Sequence, residues 1–295
     1  MPELPEVETV CRGLGSLIVG HTIRLVSCDD SPRSFPNIKT EVDLFVIGAS
    51  VMGIRRRAKL LMLDLSTGYS LVVHLKMTGQ LVYRGDTQDF GAGHPSDSLV
   101  GELPDKSTRV IIEFNNNSKL FFNDQRKFGW MKLYPTVEIP NIDFMQKVGP
   151  EPLEKEFTAK VFIPRIRRRN GTTIKAAILD QTVLAGVGNI YADESLWGAK
   201  IHPATRVKNV SDKKLALLLK EIKYVMGLSI EKGGSTSKNY VDAEGNKGSY
   251  MDFARVFQRN GLACSRHSDT MIEKIRVAGR GTHICPVCQP ETEAN

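Results

Sequence analysis

Hydrophobic positions at the start of the chain fall on a helical repeat. Val7, Val10, Cys11, Leu14, Leu17 and Ile18 follow i, i+3, i+4 spacing. Pro5 sits in the first turn, with Glu6 and Glu8 at the positive end of the dipole, so an amphipathic helix is expected. From residue 22 the period becomes that of strands. Residues 22–28 and 42–54, Leu60 to Leu65, and Leu71 to Leu81 carry β-branched and apolar runs between turn signals. Val110 to Phe114 and Lys119 to Asn123 read as a hairpin around Asn115-Asn116-Asn117. Residues 84–107, rich in Gly, Asp and Ser, read as a long surface loop with His94 in solvent. Pro140, Pro150 and Pro152 then break the rhythm. Beyond them Ile174, Ala177 and Ile178 mark one helix. Leu215, Leu218, Leu219, Ile222, Val225 and Met226 mark another, starting after Ser211 and stopping at Gly233-Gly234. The expected fold class is α+β with two domains, the first a β-sandwich with a leading helix. The expected divisions are 1–135 for the sandwich, 136–152 for a linker, 153–250 for a helical domain and 251–295 for a cysteine-containing module and tail.

Charge narrows the partner. Forty Lys plus Arg against 33 Asp plus Glu leave +7, which favours a polyanion. No apolar run approaches about 20 residues, and no charged-then-apolar leader opens the chain. A soluble, cytoplasmic protein with no membrane partner is therefore expected. Three of the five cysteines lie within 264–288, which reads as metal ligation rather than a disulfide framework. Cys285-Pro286-Val287-Cys288 is a zinc half-site, and Cys264 supplies a third ligand. His267, in Cys264-Ser265-Arg266-His267, keeps a workable spacing for the fourth, with His283 as the alternative. Cys11 and Cys28 are expected in the core.

The opening Met1-Pro2-Glu3 carries a chemical possibility. Removal of Met1 would expose a secondary amine beside a carboxylate, and an α-amine, with a reference pKa of about 7.7–8.0, is partly neutral at physiological pH. Attack on a sugar C1′ by such an amine gives an iminium, with Glu3 placed to move protons. Ordinary helix-start chemistry accounts for the same residues. In Leu71 to Gly79, alternation sets Leu71, Val73, Leu75 and Met77 against His74 and Lys76, the pattern of a core Met and a surface His. Gly186-Val187-Gly188-Asn189 joins two helical segments; its glycines suit either a tight connection or close approach to an anion. Arg55 to Lys59 and Pro164 to Arg169 are basic runs, the second read as general electrostatics.

Five stretches, Met1 to Val10, His74 to Gly79, Asn123 to Gly129, Gly186 to Ala192 and the C-terminal cysteine cluster, together resemble the formamidopyrimidine-DNA glycosylase family almost end to end. The resemblance implies a helix–two-turn–helix motif in the second domain and a zinc-finger β-hairpin carrying one structural Zn2+. It also implies a bifunctional glycosylase/AP lyase of base excision repair. That enzyme would act on 8-oxoguanine and formamidopyrimidines in damaged duplex DNA by β,δ-elimination, as a monomer without a small-molecule cofactor. Pro2 would be the nucleophile, Glu3 the proton donor, Glu6 its support, and Lys59 the phosphate contact near the amine. Met77, Arg126 and Phe128 would fill the space left by an everted base, with His74 also at the DNA. Lys175 would lie near the lesion pocket, Asn189 and Arg280 on phosphates, and the segment opening Gly233-Gly234-Ser235-Thr236 would close over an oxidised purine. The chain departs from the family's usual Cys-x-x-Cys in having His267. Three rivals stand beside this reading: an oxidised-pyrimidine glycosylase, a non-catalytic DNA-binding protein and an N-terminal-proline tautomerase.

Overall fold

A computed structural model describes residues 2–29, 31–235 and 249–291. The chain divides into two compact units. Met1–Gln146 with Lys232–Ser249 form one, and Lys147–Glu231 with Tyr250–Asn295 the other. The division falls inside the expected linker, but two features differ from the sequence reading. The residues after Glu231 return to the first unit, and the cysteine module belongs to the helical unit rather than standing alone.

The first unit opens with helix α1 (Leu4–Ile18), which buries Leu4, Val7, Val10, Leu14 and Ile18. At about 1.5–3 kcal/mol for each large apolar side chain, this face anchors the N-terminus firmly. Strand β1 (Ile23–Cys28), helix α2 (Lys39–Phe45), and strands β2 (Val51–Arg57), β3 (Leu60–Leu65), β4 (Tyr69–His74), β5 (Gly79–Arg84), β6 (Asp89–Gly93), β7 (Thr108–Phe114), β8 (Lys119–Asp124) and β9 (Trp130–Pro135) follow. They make two antiparallel sheets, ordered β1-β7-β8-β5-β6 and β2-β3-β4-β9. Inward residues of both sheets and of α1 share one core.

Four local expectations change. Residues 42–45, expected to begin a strand, are instead the end of a helix over Lys39–Phe45, with only Val42 buried and Lys39 paired to Asp43 one turn on at 2.6 Å. The run 71–81 is two strands in different sheets, β4 and β5, joined by a turn over 75–78. The long loop contains β6, because Phe90 and Ala92 alternate inward and Gly13 on α1 leaves room for the Phe90 ring. Cys28 is exposed on edge strand β1 rather than in the core, and Cys11, half-buried, packs against the core from its margin.

The second unit begins at the end of the short helix α3 (Asp143–Lys147) and contains α4 (Ala159–Arg167), α5 (Ile174–Leu179), α6 (Asn189–Ala199) and α7 (Asp212–Glu231). Two hairpins complete it, β10 (Ala263–Cys264) with β11 (His267–Met271), and β12 (Glu273–Val277) with β13 (Arg280–Ile284). Among the described residues no helix is long and apolar enough to cross a membrane.

Candidate active site and zinc centre

Strand polarity gathers the candidate site residues of the first unit at one end of the sandwich. Gly20, past the end of α1, bonds Val51 at the start of β2, whereas Glu8 near the helix start pairs with Arg56 at the strand's end. Helix α1 therefore starts where β2 ends. The β2–β3 turn carrying Lys59, the end of β4 at His74, the turn with Met77 and the end of β8 at Asp124 all lie there, because Leu60 pairs with His74 and Gly79 with Asp124.

Pro2 and Glu3 are buried at this end, Glu3 as the N-cap of α1. A reciprocal capping box holds them. The Glu3 side chain accepts the Glu6 backbone N–H, and Glu6 Oε2 accepts the Glu3 N–H at 2.8 Å. The second Glu6 oxygen accepts the Ser235 N–H at 2.8 Å. That return of the chain requires Gly233 and Gly234, at φ +74° and +88°, with Gly234 packed on the Glu6 side chain. Both carboxylate oxygens of Glu6 thus accept backbone N–H groups. The expected lesion-closing loop from Thr236 onward lies outside the described residues.

Met77, Arg126 and Phe128 come together. Met77 and Phe128 are 41% and 51% exposed, so the Met is not the core residue that strand alternation suggested. Arg126 Nη1 donates to Met77 Sδ at 3.2 Å, and its guanidinium lies 4.9 Å from the Phe128 ring centroid. Asp124, which sequence reasoning did not single out, organises both loops. Its Oδ1 accepts from Thr78 Oγ1 and from the Arg126 N–H, and its Oδ2 from the Gly129 N–H at 2.6 Å. The sequence signal was an Asp two residues before an Arg, the spacing of an Asx turn.

Lys59 is 5% exposed, immediately after Ala58 at φ +53°. Arg56 steadies that turn by donating to Glu8 and to Ala58 O. His74 is also buried. Burial, then the charges of Lys76 and Lys59, push its imidazole down to about 3, so it is neutral at working pH with Nδ1 accepting the Lys76 N–H at 3.0 Å. An unfolded histidine binds its proton near pH 6.5. The unfolded chain therefore takes up the extra proton as pH falls from 6.5 toward 3, and this window should destabilise the unit by up to about 1.4 kcal/mol per pH unit. Urea denaturation across that range should show the slope, and His74→Gln should flatten it; an unchanged slope would contradict the neutral buried ring.

In the second unit Gln181 shapes the glycine turn, its Oε1 accepting the Gly186 N–H and its Nε2 donating to Val187 O, both at 2.8 Å. Gly188 is then the N-cap of α6 and Asn189 its first residue. Asn189 Nδ2 donates to Gly281 O at 3.0 Å. Arg280 opens β13 after a two-residue turn, Ala278-Gly279, with both φ positive, and is exposed. Lys175 is fully buried. Its Nζ bonds Asp193 Oδ1 at 2.6 Å, Thr282 Oγ1 at 2.7 Å and Gly281 O at 3.3 Å, while Asp193 Oδ2 accepts the His283 N–H at 2.9 Å. This buried network fixes Asn189 and Arg280 on one scaffold. The Arg165 to Arg169 patch is likewise not all free charge, since Arg165 and Arg167 donate to backbone carbonyls of 182–183 and of 207 and 210.

Cys264, His267, Cys285 and Cys288 place one ligand atom each within 4.8 Å of one another. Cys264 Sγ and Cys288 Sγ are 3.8 Å apart, and Cys288 Sγ lies 3.3 Å from His267 Nδ1. Tetrahedral zinc with bonds of about 2.3 Å to sulfur sets its sulfurs about 3.8 Å apart, so the donor set fits the ion. His283, bonded to Asp193, is not in the cluster. Four protein ligands close the site, so the ion's contribution is cross-linking of the two hairpins. His267→Ala should weaken zinc on the order of 10²-fold in chelator competition, and His267→Cys should restore it. Equal affinity in all three chains would exclude His267 as a ligand.

The family models match in the same order as these sites: the formamidopyrimidine-DNA glycosylase N-terminal domain over residues 1–131, its H2TH domain over 148–241, and the zinc finger found in FPG and IleRS over 269–290. The formamidopyrimidine-DNA glycosylase of Herpetosiphon aurantiacus is 40% identical over 98% of this chain and 100% of its own. That of Pediococcus pentosaceus is 38% identical over 98% and 99%. The chain belongs to the formamidopyrimidine-DNA glycosylase family. Among solved structures, it resembles a Lactococcus lactis FPG variant in complex with a Fapy-dG containing DNA (TM-score 0.85, 33% identity, covering 98% of this chain and 100% of that one). A second complex, of Lactococcus lactis Fpg with an abasic site containing DNA, gives TM-score 0.85 and 34% identity at the same coverage. The chain is thus a DNA-repair glycosylase with one structural zinc. The zinc-finger match spans only the Cys285/Cys288 pair; Cys264 and His267 join it through the geometry above.

Proposed function

We propose that this glycosylase, processed to expose Pro2, excises 8-oxoguanine and formamidopyrimidines and then cleaves the strand by β,δ-elimination. The observation that carries the reading is the start of α1. Pro2 is buried next in sequence to buried Glu3, and each Glu6 carboxylate oxygen accepts a backbone N–H, one from Glu3 and one from Ser235. Glu6 gives both oxygens to backbone N–H groups, whereas the Glu3 carboxylate, which accepts the Glu6 N–H, is next in sequence to the nucleophile and is assigned the proton movement. Attack of the Pro2 nitrogen forms the N–C1′ bond as the C1′–base bond breaks; cleavage of C1′–O4′, with Glu3 giving a proton to O4′, then yields the iminium, an electron sink that makes the C2′ proton removable. Such chemistry needs the nucleotide out of the stack. The Met77, Arg126 and Phe128 cluster, exposed and mutually supported, suits the vacated space. Lys59 is assigned to a phosphate near the amine, with His74 beside it at the DNA. Asn189 and Arg280 are assigned to the backbone, and Lys175 to their positioning. The enzyme acts on damaged duplex DNA as a cytoplasmic monomer without a small-molecule cofactor.

The test compares base release from 8-oxoguanine·cytosine and from oxidised-pyrimidine duplexes, with product ends identified on a sequencing gel. Faster purine release and phosphates at both ends of the gap are expected. Faster pyrimidine release would move the chain to the sister specificity, and binding without release would leave a non-catalytic protein.

A further inference from the structure

The cluster of Met77, Arg126 and Phe128 stands on a residue that the strand pattern hides. Strand β7 pairs with β8 through Thr108 to Asn123 and then Val110 to Phe122, so Arg109 is the extra residue of a β-bulge. A bulge re-aims the side chain it carries. Arg109 is only 7% exposed, and its side chain reaches the end of β8 with every nitrogen engaged. Nε donates to Asp124 O at 2.9 Å, Nη1 to Asp29 Oδ2 at 2.8 Å and Nη2 to Lys106 O at 2.9 Å. Asp29 is set against Arg109 by the extension of β1, its N–H donating to Arg109 O at 2.9 Å.

These bonds converge on Asp124, the last residue of β8 before the chain leaves the sheet over 125–129. Both of its backbone groups are held, the N–H by Ser107 O at 2.8 Å and the carbonyl by Arg109. From that fixed backbone the carboxylate closes two turns at once. Oδ1 accepts from Thr78 Oγ1 and from the Arg126 N–H, and Oδ2 accepts the Gly129 N–H at 2.6 Å. Thr78 adjoins Met77, and the Arg126 and Gly129 N–H groups bracket Phe128, so one carboxylate sets the backbone under all three side chains. Among the described residues Arg109 bonds none of those side chains, and it acts on them through Asp124. A lysine would keep the charge toward Asp29 but not the service of three acceptors by three nitrogens of one planar fork.

We infer that Arg109 is a positioning residue for base eversion, holding Asp124 so that Met77, Arg126 and Phe128 stand ready to occupy the gap in the duplex. This role rests on the reading of those three as gap-filling residues. Taking a stacked and paired base out of the duplex costs a few kcal/mol. An abasic nucleotide has no base to unpair or unstack. Loss of the Arg109 fork should therefore slow release of 8-oxoguanine far more than cleavage at an abasic site.

The experiment uses the full-length chain, shown free of Met1, with Arg109→Lys, Arg109→Gln, Phe128→Ala and the double variant Arg109→Lys/Phe128→Ala. A 2-aminopurine beside 8-oxoguanine opposite cytosine reports unstacking in stopped flow, and base release and abasic-site cleavage are followed under single turnover with enzyme in excess. Both Arg109 variants should slow the fluorescence rise and base release about 10-fold, the scale of one hydrogen bond to a charged donor, with abasic cleavage within about 3-fold of the parent. Phe128→Ala should slow the rise as well, and the double variant should lose much less than the product of the two single losses, because both act through one cluster. A parent-like rise in both Arg109 variants would overturn the role while leaving the gap-filling reading intact. Losses that multiply in the double variant, or that are equal for base release and abasic cleavage, would also overturn it, since either marks a general effect on the fold. A parent-like rise in Phe128→Ala would overturn the gap-filling reading and this role with it.

Discussion

Placing one extra residue ahead of Pro2 is expected to abolish strand cleavage at 8-oxoguanine and abasic sites, by at least about 10³-fold in single-turnover rate, with duplex affinity within a few-fold of the parent. The nitrogen would become a tertiary amide whose lone pair is delocalised into the carbonyl, so it could neither attack C1′ nor form an iminium. A factor of 10³ corresponds to about 4 kcal/mol of transition-state stabilisation. Retained Met1 should behave identically, which makes the processed fraction the ceiling on active enzyme. The fold should tolerate the change, because α1 is held by Leu4, Val7, Val10, Leu14 and Ile18 and by the Glu3–Glu6 box, all downstream of the nitrogen. Full cleavage by the extended chain would mean that a different amine is the nucleophile.

Breaking the buried ion pair of the helical unit should give the largest loss of stability. Lys175 and Asp193 are fully buried with Nζ and Oδ1 2.6 Å apart. Lys175→Met would leave the Asp193 carboxylate uncompensated in the interior, a change that costs about 3–5 kcal/mol when one partner of a buried pair is removed. Asp193→Asn in the same chain removes that charge and should recover much of the loss. Chemical denaturation of the single and double variants measures both. The loss should extend to DNA binding, because Lys175 and Asp193 fix β13 through Thr282, Gly281 and His283 and so hold Arg280 in place. A single variant as stable as the parent would contradict the network.

Helix α7 was readable to within a residue or two of its ends, because its apolar positions keep one period between Ser211 and the two glycines. The three zinc cysteines were readable from spacing; between His267 and His283 the sequence left a choice, which the assembled cluster decides for His267. Where the reading failed, the deciding partner was distant in sequence. Strand β6 was taken for loop because Asp-Phe-Gly-Ala-Gly carries turn residues; Phe90 is drawn in by a glycine on α1. Met77 looked like core because alternation was carried past His74, where a turn and a change of sheet intervene. The buried partners of Lys175 were not legible either, because Asp193 and the hairpin that surround it lie 18 and more than 100 residues away. Asp124 and Asp193 were passed over for the same reason. A carboxylate that receives several N–H groups shows its role only when the donors are assembled.

The central claim is that Pro2 is the nucleophile. Incubating the chain, shown free of Met1, with an 8-oxoguanine·cytosine duplex under borohydride, then digesting the covalent adduct and mapping it by mass spectrometry, tests that claim most directly. The account predicts a single modified residue, Pro2. An adduct on a lysine such as Lys59, or tight binding with an intact strand and no adduct, would contradict it.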